Sequence, residues 1–453
     1  MAAEGSAEER KRRERKVRFP AVRFVPTKIF VKDFGPVKEA NIDLGRVTIL
    51  MGPNNTGKTY TAALMLVLEQ LAKELSIAPD LLEFTQLTLE DFIHYLDEVL
   101  VDILLRLYSV DGLEGLVRRG SDKAELRFVL RPEWEQFGDT LQLEIQVDKS
   151  RVVISRFHGF RELLEKKKVP EISPLIYIPA KRAGIMPILR HLRRLQMATR
   201  LRVIPLHFTR SDVLEDVRRL AQPMVSERIH LPGFIEVLLD QILDTEKFTL
   251  EERKSAFVAP ALDLLEEEVL RGRLEMGEDL SVSYHEAGAE KPIDLINASS
   301  MVSEVSAIYL LSGKLREGWW LIVEEPEAHV HPKGQMGLAR FMAMLARLGV
   351  NVVVTTHSDL IALKLAQMVG LAGLSPQDRR KLGYREDEYL TKEELALYFM
   401  EPTEEGSVAR KVEVSETGEV SDLPTYTIVL EEMYGEAVKL LELHGKIPKI
   451  SEG

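Results

Sequence analysis

The stretch Ile49–Leu71, ILMGPNNTGKTYTAALMLVLEQL, decides the fold of this chain. A short apolar run predicts a buried strand, a polar loop follows, and a long segment with helical apolar spacing ends the stretch. The loop fits the pattern G-x-x-x-x-G-K-[ST] at every fixed position. Its predicted nucleotide-binding residues are Gly52, Pro53, Asn54, Asn55, Thr56, Gly57, Lys58 and Thr59.

The residue types in this loop suit phosphate binding. Glycines let successive backbone N–H groups converge on one centre, where the N-terminus of the following helix adds partial positive charge. Lys58 would reach the β- and γ-phosphates, and the Thr59 hydroxyl would bind magnesium. A chance glycine-rich turn is the alternative, but the predicted strand and helix on either side argue against it. We therefore predict that the loop binds the phosphates of a nucleotide together with Mg²⁺.

Two adjacent carboxylates follow an apolar run further along the chain. In Trp319–Pro332, WWLIVEEPEAHVHP, a predicted strand ends at Glu324 and Glu325. Ligands collect at the carboxyl ends of strands in open α/β sheets, and adjacent carboxylates at a buried strand end are costly unless a cation lies there. We predict that Glu324 binds magnesium, directly or through water. Glu325 is the predicted catalytic residue that polarises the attacking water.

A second apolar run, in Asn351–Asp359, NVVVTTHSD, also ends in polar residues. A lone histidine at a strand end is often structural. Here one predicted helix separates this strand from the strand of Glu324, as expected for neighbours in one parallel sheet. We predict His357 as a sensor of the γ-phosphate, so the predicted catalytic set is Glu325, His357 and Lys58.

The composition limits the function classes. The chain has 453 residues, 45% hydrophobic residues, no cysteine and a formal net charge of −12. These values predict one large elaborated domain or two domains, with neither disulfides nor thiolate metal sites. The lack of a signal-like segment or a long apolar stretch predicts a cytoplasmic protein without a membrane partner. The negative charge argues against nonspecific coating of nucleic acid.

Two basic segments remain candidates for local binding of phosphates. Glu8–Arg18, EERKRRERKVR, precedes the first predicted strand, and Arg190–Arg202, RHLRRLQMATRLR, has cations at near-helical spacing. In both cases a solvated tail or helix face is favoured over a binding surface.

The alternation of strands and helices predicts an α/β fold with a parallel sheet. Alternating runs between Ala124 and Ser155 predict a small antiparallel sheet, and a hairpin is expected around Glu404–Gly406. The predicted organisation is a disordered basic tail at 1–26, a first half of the head with a small β subdomain at 27–190, a helical insertion at 191–280, a second half of the head at 281–370, and a C-terminal α/β extension at 371–453.

Six segments together resemble ABC-type ATPases of the branch that includes the SMC and RecF proteins and the overcoming-lysogenization-defect (OLD) ATPases. The likeness is greatest to compact AAA-like ATPases with an OLD-type head, and it covers about half the chain. The segments are FVKDFGPV (Phe30–Val37), the phosphate-binding loop, YIPAKRAG (Tyr177–Gly184), ASSMVSE (Ala298–Glu304), IVEEPEAHVHP (Ile322–Pro332) and TTHSD (Thr355–Asp359). The resemblance implies a P-loop NTPase fold with an ABC/SMC-like head.

The resemblance also implies a second half-site. ASSMVSE stands where the ABC signature lies, so Ser299 and Ser300 would face the γ-phosphate of nucleotide bound to a second copy. Met301 and Val302 occupy places where glycine is usual, which weakens this contact but leaves two hydroxyls and a helix N-terminus. Ser299 as a plain helix N-cap is the alternative.

A glutamine that senses magnesium is usual near YIPAKRAG, but this chain offers Lys181 and Arg182. Contact of a cation with phosphate and surface pairing with an acidic neighbour both remain open.

The leading functional interpretation is an ATPase that forms a dimer around nucleotide and switches an effector protein, or less favourably DNA, in defence or genome maintenance. An ABC transporter subunit would have L-S-G-G-Q and a compact insertion, whereas about 240 residues separate Thr59 from Ser299. A DNA-repair or SMC-like ATPase that binds DNA is a further alternative. A Toprim nuclease needs a D-x-D motif, which the ~95 residues after Asp359 lack.

Overall fold

The computed structural model describes residues 21–84, 88–133, 140–166, 168–182, 184–186, 233–243, 257–277, 281–421, 433–441 and 444. The basic segment at the N-terminus, the segment Arg190–Arg202 and much of the predicted helical insertion lie outside these residues. Among the described residues, no helix has both the length and the apolar character that crossing a membrane requires.

The described chain alternates strands and helices around one large sheet. The strands are β1 Ala21–Phe34, β2 Val37–Asp43, β3 Val47–Met51, β4 Lys123–Pro132, β5 Leu141–Asp148, β6 Val152–His158, β7 Val169–Ile172, β8 Leu175–Ile178, β9 Gly272–Met276, β10 Val282–Glu286, β11 Ile293–Asp294, β12 Trp320–Glu324, β13 Asn351–Thr356, β14 Leu395–Thr403 and β15 Gly406–Val412. The principal helices are α1 Lys58–Phe84, α2 Leu89–Tyr108, α3 Phe160–Glu165, α4 Gly233–Leu243, α5 Ala259–Leu264, α6 Ser300–Ser312, α7 Pro332–Arg347, α8 Asp359–Gly370 and α9 Pro376–Lys381.

Within the described residues, the large sheet has twelve strands and a parallel centre. Its order is β6-β5-β4-β1-β2-β15-β14-β3-β13-β12-β8, with β7 paired to β1. The pairings from β14 through β3, β13 and β12 to β8 are all parallel. The strands of Glu324 and His357 are therefore direct neighbours, as the sequence predicts. Parallel strands end at one edge, so the loops after β3, β12 and β13 meet there.

Both faces of this centre are buried. Ile49 and Met51 of β3 pack in the core with α6, α7 and α8, while Leu50 packs on the opposite face with α1 and α2. Alternate side chains of a strand point to opposite faces, so an uninterrupted apolar run such as that of β3 suits a strand covered on both sides. This burial explains why the strand before the phosphate-binding loop is recognisable in the sequence.

The strands predicted to form a small antiparallel sheet belong instead to the large sheet. The alternating runs form β4, β5 and β6, which are antiparallel as predicted. They are continuous with the main sheet, because β1 is 14 residues long and pairs with β2 on one edge and β4 on the other. A separate small antiparallel sheet is formed by β9, β10 and β11. The predicted hairpin near Glu404 is confirmed as β14 and β15, which insert between β2 and β3.

Candidate functional site

The phosphate-binding loop lies between β3 and α1, and its two fixed glycines are required by backbone geometry. Gly52 and Gly57 have φ angles of 143° and 82°, which L side chains rarely adopt. A Cβ atom on Gly52 would lie 2.7 Å from the carbonyl oxygen of Met400, and one on Gly57 would lie 2.3 Å from Val37. Pro53, Asn54 and Asn55 are exposed at the tip of the loop, where a ligand would approach.

Lys58 begins helix α1 and is folded against the loop. Its Nζ donates hydrogen bonds to the carbonyl oxygens of Gly52 at 2.9 Å and Pro53 at 2.7 Å. Burial lowers the pKa of Lys58 to about 8, against the opposing effect of the nearby carboxylates of Glu325 and Glu327. The ammonium thus lies close to both the loop and the carboxylates after β12.

The C-terminal hairpin contacts the loop from behind. The Ser407 hydroxyl on β15 donates a hydrogen bond of 2.6 Å to the Thr56 carbonyl oxygen. Ser407 is buried, and its backbone N–H donates to the Pro36 carbonyl oxygen at 2.9 Å. Together with Met400 beside Gly52, this contact fixes the backbone path of the loop.

Glu324 ends β12 and is 3% exposed. Its Oε1 accepts a hydrogen bond from the Tyr177 hydroxyl, and its Oε2 accepts one of 3.1 Å from the Ala180 N–H. Burial raises the pKa of this carboxyl group, while the nearby Thr59 side chain has a smaller effect that lowers it. The structure therefore joins the two predicted metal ligands, one from α1 and one from β12.

The oxygen donors of Thr59 and Glu324 fit a magnesium ion. Magnesium prefers oxygen ligands and binds through one or two carboxylates together with substrate phosphates and water. Among the described residues, no group of three or more histidine or acidic side chains is placed to hold a metal. Thr59 and Glu324 would therefore supply two of the ligands of a bound magnesium ion.

Glu325 and His357 directly follow the adjacent strands β12 and β13, and their side chains lie close together. The His357 Nε2 lies 3.5 Å from the Glu325 Oε1, and this interaction is the main cause that lowers the pKa of Glu325. The backbone N–H of His357 donates to the Oε1 of Glu327 at 2.6 Å. Ser358 caps helix α8, and its hydroxyl donates to Gln335 at the start of α7. The loop that carries His357 is thus held on two sides.

The sequence leaves open whether Arg182 contacts phosphate or pairs with an acidic residue at the surface, and its burial fits neither alternative. Its side chain is 0% exposed, and its guanidinium donates hydrogen bonds to the carbonyl oxygens of Pro179, Glu304, Glu324 and Glu325. It does pair with an acidic side chain, that of Glu304, but in the interior. Lys181 is exposed.

Ser299 and Ser300 lie at the exposed N-terminus of α6. The Ser299 hydroxyl accepts a hydrogen bond of 3.4 Å from the Val302 N–H, so it caps the helix. A cap of this kind is the alternative that the sequence offers for Ser299. The Ser300 side chain is the first of the helix proper. Contact with a second copy stays a prediction for both residues.

Several site residues escape sequence reasoning. Tyr177 and Glu327 lie in segments of the resemblance without an assigned role, Gln335 and Ser407 lie in none of those segments, and each residue acts through a contact that only the fold creates. Tyr177 leaves one signal, because a tyrosine in a buried run must find a partner for its hydroxyl. The parallel pairing of β8 with β12 places Glu324 within its reach.

Comparison with known families identifies the class. Residues 47–363 match the model of a family described as "AAA domain, putative AbiEii toxin, Type IV TA system". The match covers more than half the chain, and the chain belongs to this AAA-domain family. It confirms the predicted likeness to AAA-type P-loop ATPases.

Similar solved structures include head domains of SMC proteins. An Smc head bound to the C-winged helix domain of ScpA is 11% identical, with a TM-score of 0.44 over 88% of this chain and 99% of that one. An Smc head with an extended coiled coil, bound to a ScpA domain derived from Pyrococcus furiosus, is 12% identical, with a TM-score of 0.42 over 91% and 100%. The SMC head domain from Thermotoga maritima is 11% identical, with a TM-score of 0.40 over 86% and 99%. No curated protein matches the chain.

Proposed function

We propose that this protein binds ATP with magnesium and hydrolyses it to ADP and phosphate. The observation that carries the proposal is the meeting of the phosphate-binding loop, Glu324 and Glu325 at one edge of the parallel sheet. Within one site the chain offers an ammonium for phosphate, a hydroxyl and a buried carboxylate for a hard cation, and a second carboxylate that reaches solvent. This set suits phosphoryl transfer to water.

Each residue has a distinct part in the proposal. Residues 52–57 hold the phosphates through backbone N–H groups, and Lys58 adds a positive charge. Thr59 and Glu324 hold magnesium, which would neutralise charge on the phosphates when bound. Glu325 accepts a hydrogen bond from the attacking water and orients it, and His357 holds Glu325 and senses the γ-phosphate.

Dimerisation around nucleotide is the second part of the proposal. Ser299 and Ser300 are exposed at the N-terminus of a 13-residue helix, a place that favours anions. They would complete the site of a second copy. In the same proposal the head comprises residues 27–190 and 281–370, with an insertion at 191–280 and an extension at 371–453.

A protein partner in trans is favoured over DNA. The family description includes a putative toxin and a type IV TA system. The net charge of −12 opposes DNA binding except through local basic segments. ATP hydrolysis would thus switch a separately encoded effector, in defence or genome maintenance. A stable hetero-complex in gel filtration would support the effector, whereas duplex-stimulated turnover that is lost at moderate salt would favour DNA.

Two substitutions separate nucleotide binding from hydrolysis. Lys58→Ala should abolish ATP binding measured by calorimetry. Glu325→Gln should retain binding but lose most turnover at saturating ATP and magnesium, because the amide cannot accept the proton of water. Equal turnover in wild type and Glu325→Gln would refute the assignment. With ATP, light scattering of Glu325→Gln should show a dimer, and Ser300→Arg in that background should remain monomeric.

A further inference from the structure

Arg182 is a buried cation with an unusual set of partners. Its Nη1 donates hydrogen bonds to the carbonyl oxygens of Glu324 at 2.7 Å and Pro179 at 3.1 Å, and its Nη2 donates to the Glu325 carbonyl oxygen at 3.0 Å. Its Nε donates to the Glu304 carbonyl oxygen at 3.0 Å. The planar guanidinium thus joins the end of β12 to helix α6. A lysine could not make these bonds at once, because its ammonium is a single compact centre.

The hydrogen bond from Arg182 to the Glu325 carbonyl oxygen helps to hold the backbone conformation of Glu325. Glu325 has a φ angle of 42°, in the left-handed region that is uncommon for residues other than glycine. Such a conformation persists only where its surroundings hold it. Here the Glu325 N–H donates to the Thr355 carbonyl oxygen at 2.8 Å, while Arg182 holds the carbonyl oxygen on the other side. The backbone turn directs the Glu325 carboxylate toward His357.

The other end of the guanidinium reaches the helix that starts at the predicted signature serines. Glu304 lies in the second turn of α6 and is 4% exposed. Its Oε2 lies 3.1 Å from the Arg182 Nε, yet this oxygen accepts no hydrogen bond from the described part of the chain, because the N–H is directed at the Glu304 carbonyl oxygen. The pair therefore acts through charge and through the backbone. A shift of α6 relative to β12 would disturb both contacts at once.

We propose that Arg182 is a positioning residue that holds the backbone of Glu325 in its left-handed conformation and makes this placement depend on the position of helix α6. The inference rests on the proposed role of Glu325 in hydrolysis. Helix α6 would then have two roles. Its N-terminus would contact the nucleotide bound to a second copy, and its contact with Arg182 would control the position of Glu325 in its own head. In this proposal Arg182 affects hydrolysis through the backbone of Glu325, and its buried guanidinium does not touch nucleotide.

The first test compares Arg182→Lys with a matched control. Arg379 is also buried and donates hydrogen bonds to the carbonyl oxygens of Leu374 and Glu386, away from β12. Arg182→Lys should lower kcat by about 10- to 100-fold, while the Kd for ATP changes less than about threefold. Arg379→Lys should leave kcat within about threefold of wild type. Equal effects of the two substitutions on kcat would show a general loss of stability and overturn the proposal.

A double variant tests whether Arg182 acts through Glu325. Residues that act as one unit give strongly non-additive losses. The single-turnover rate of Arg182→Lys/Glu325→Gln should therefore equal that of Glu325→Gln alone. A further loss of about tenfold or more would mean that Arg182 contributes independently, which overturns the proposed route.

Glu304→Gln tests the dependence on α6. The substitution keeps the size of the side chain and the backbone contact with Arg182 but removes the negative charge. We expect kcat to fall by about tenfold with the Kd for ATP unchanged. An unchanged kcat would overturn the connection to α6.

Hydrogen exchange supplies a measurement that does not need hydrolysis. In Arg182→Lys the N–H of Glu325, which donates to Thr355, should exchange faster than in wild type, while Arg379→Lys should leave it unchanged. Unchanged exchange in Arg182→Lys overturns the positioning role. If Glu325→Gln hydrolyses ATP like wild type, the proposed function fails, and the exchange result still decides whether Arg182 holds this backbone.

Discussion

The imidazole Nε2 of His357 lies 3.5 Å from the Oε1 of Glu325, across the carboxyl ends of the adjacent parallel strands β13 and β12. The pair is held from both sides, because the His357 N–H donates to Glu327 and the Glu325 N–H donates to Thr355. In the proposed function, this arrangement would let a phosphate near His357 be sensed at Glu325, the carboxylate proposed to act on water.

Removal of His357 should shift the acidic limb of the pH–rate profile. His357 is the main cause of the lowered pKa of Glu325, so the carboxylate form, which is proposed to accept from water, persists to lower pH than in a free glutamate. In His357→Ala this pKa rises, and kcat should begin to fall at a higher pH than in wild type, with a lower plateau. The measurement is kcat at saturating ATP between about pH 5 and 8.

His285 provides the control for this prediction. Its Nε2 lies 3.1 Å from the Glu275 Oε2 in the three-stranded sheet, so His285→Ala also breaks a histidine–glutamate pair. That variant should keep the wild-type profile. An acidic limb in His357→Ala that coincides with the wild-type limb would contradict the pairing.

The affinity for ATP should fall as the pH rises above about 8, the pKa of Lys58 in the free protein. Phosphates would stabilise the ammonium, so the pKa of bound Lys58 is higher and binding takes up a proton. Above about pH 8 the affinity should decrease toward tenfold per pH unit. Calorimetry in buffers of different ionisation enthalpy measures the proton uptake. Lys58→Arg, whose charge does not titrate in this range, should show no such dependence; a flat wild-type profile would count against the role of Lys58.

The sequence predicts those parts of the site that follow from local chemistry. Gly52 and Gly57 are demanded by backbone geometry, and Glu324 and His357 follow apolar runs, so all four can be found from short patterns. The apolar run of β3 is equally clear, because the strand is buried on both faces. The sequence patterns around these residues do not depend on how the rest of the chain folds.

The remaining residues of the site are brought there by contacts between segments that are distant in the sequence. Ser407 lies 351 residues from the Thr56 carbonyl oxygen that it contacts, and Tyr177 lies 147 residues from Glu324. Neither contact leaves a periodic or spaced pattern. Arg182 is a further example, because a charged residue in a loop is expected to be exposed, whereas Arg182 is buried. Long-range hydrogen bonds therefore form the part of the site that the sequence cannot predict.

Tyr177→Phe should weaken the response to magnesium. The Tyr177 hydroxyl bonds to Glu324 and lowers its pKa against the effect of burial, so its loss leaves a buried oxygen with one partner fewer and favours the protonated form. A protonated carboxyl is a poor metal ligand. We expect the magnesium concentration for half-maximal turnover to rise several-fold at neutral pH, and the free energy of unfolding to fall by about 1–3 kcal/mol.

Tyr398→Phe is the matched control for this change. Tyr398 is also buried, and its hydroxyl accepts a hydrogen bond of 2.8 Å from the Asp43 N–H, away from the proposed metal ligands. Its loss should reduce stability to a similar extent without altering the magnesium response. If both variants shift the magnesium response equally, the effect of Tyr177 is general and not a contact with Glu324.

Ser407→Ala should weaken ATP binding without slowing hydrolysis at saturation. The lost hydroxyl releases the Thr56 carbonyl oxygen, so the loop must be ordered by the nucleotide itself, and part of the binding free energy is spent on that ordering. We expect the Kd for ATP to rise about 3- to 10-fold, with kcat unchanged, because the groups that act on water are untouched. Thr27→Ala is the control, since the Thr27 hydroxyl makes a similar bond of 3.1 Å to the Val129 carbonyl oxygen between β1 and β4. A Kd for Ser407→Ala that equals the Kd for Thr27→Ala would show that the C-terminal hairpin does not hold the loop.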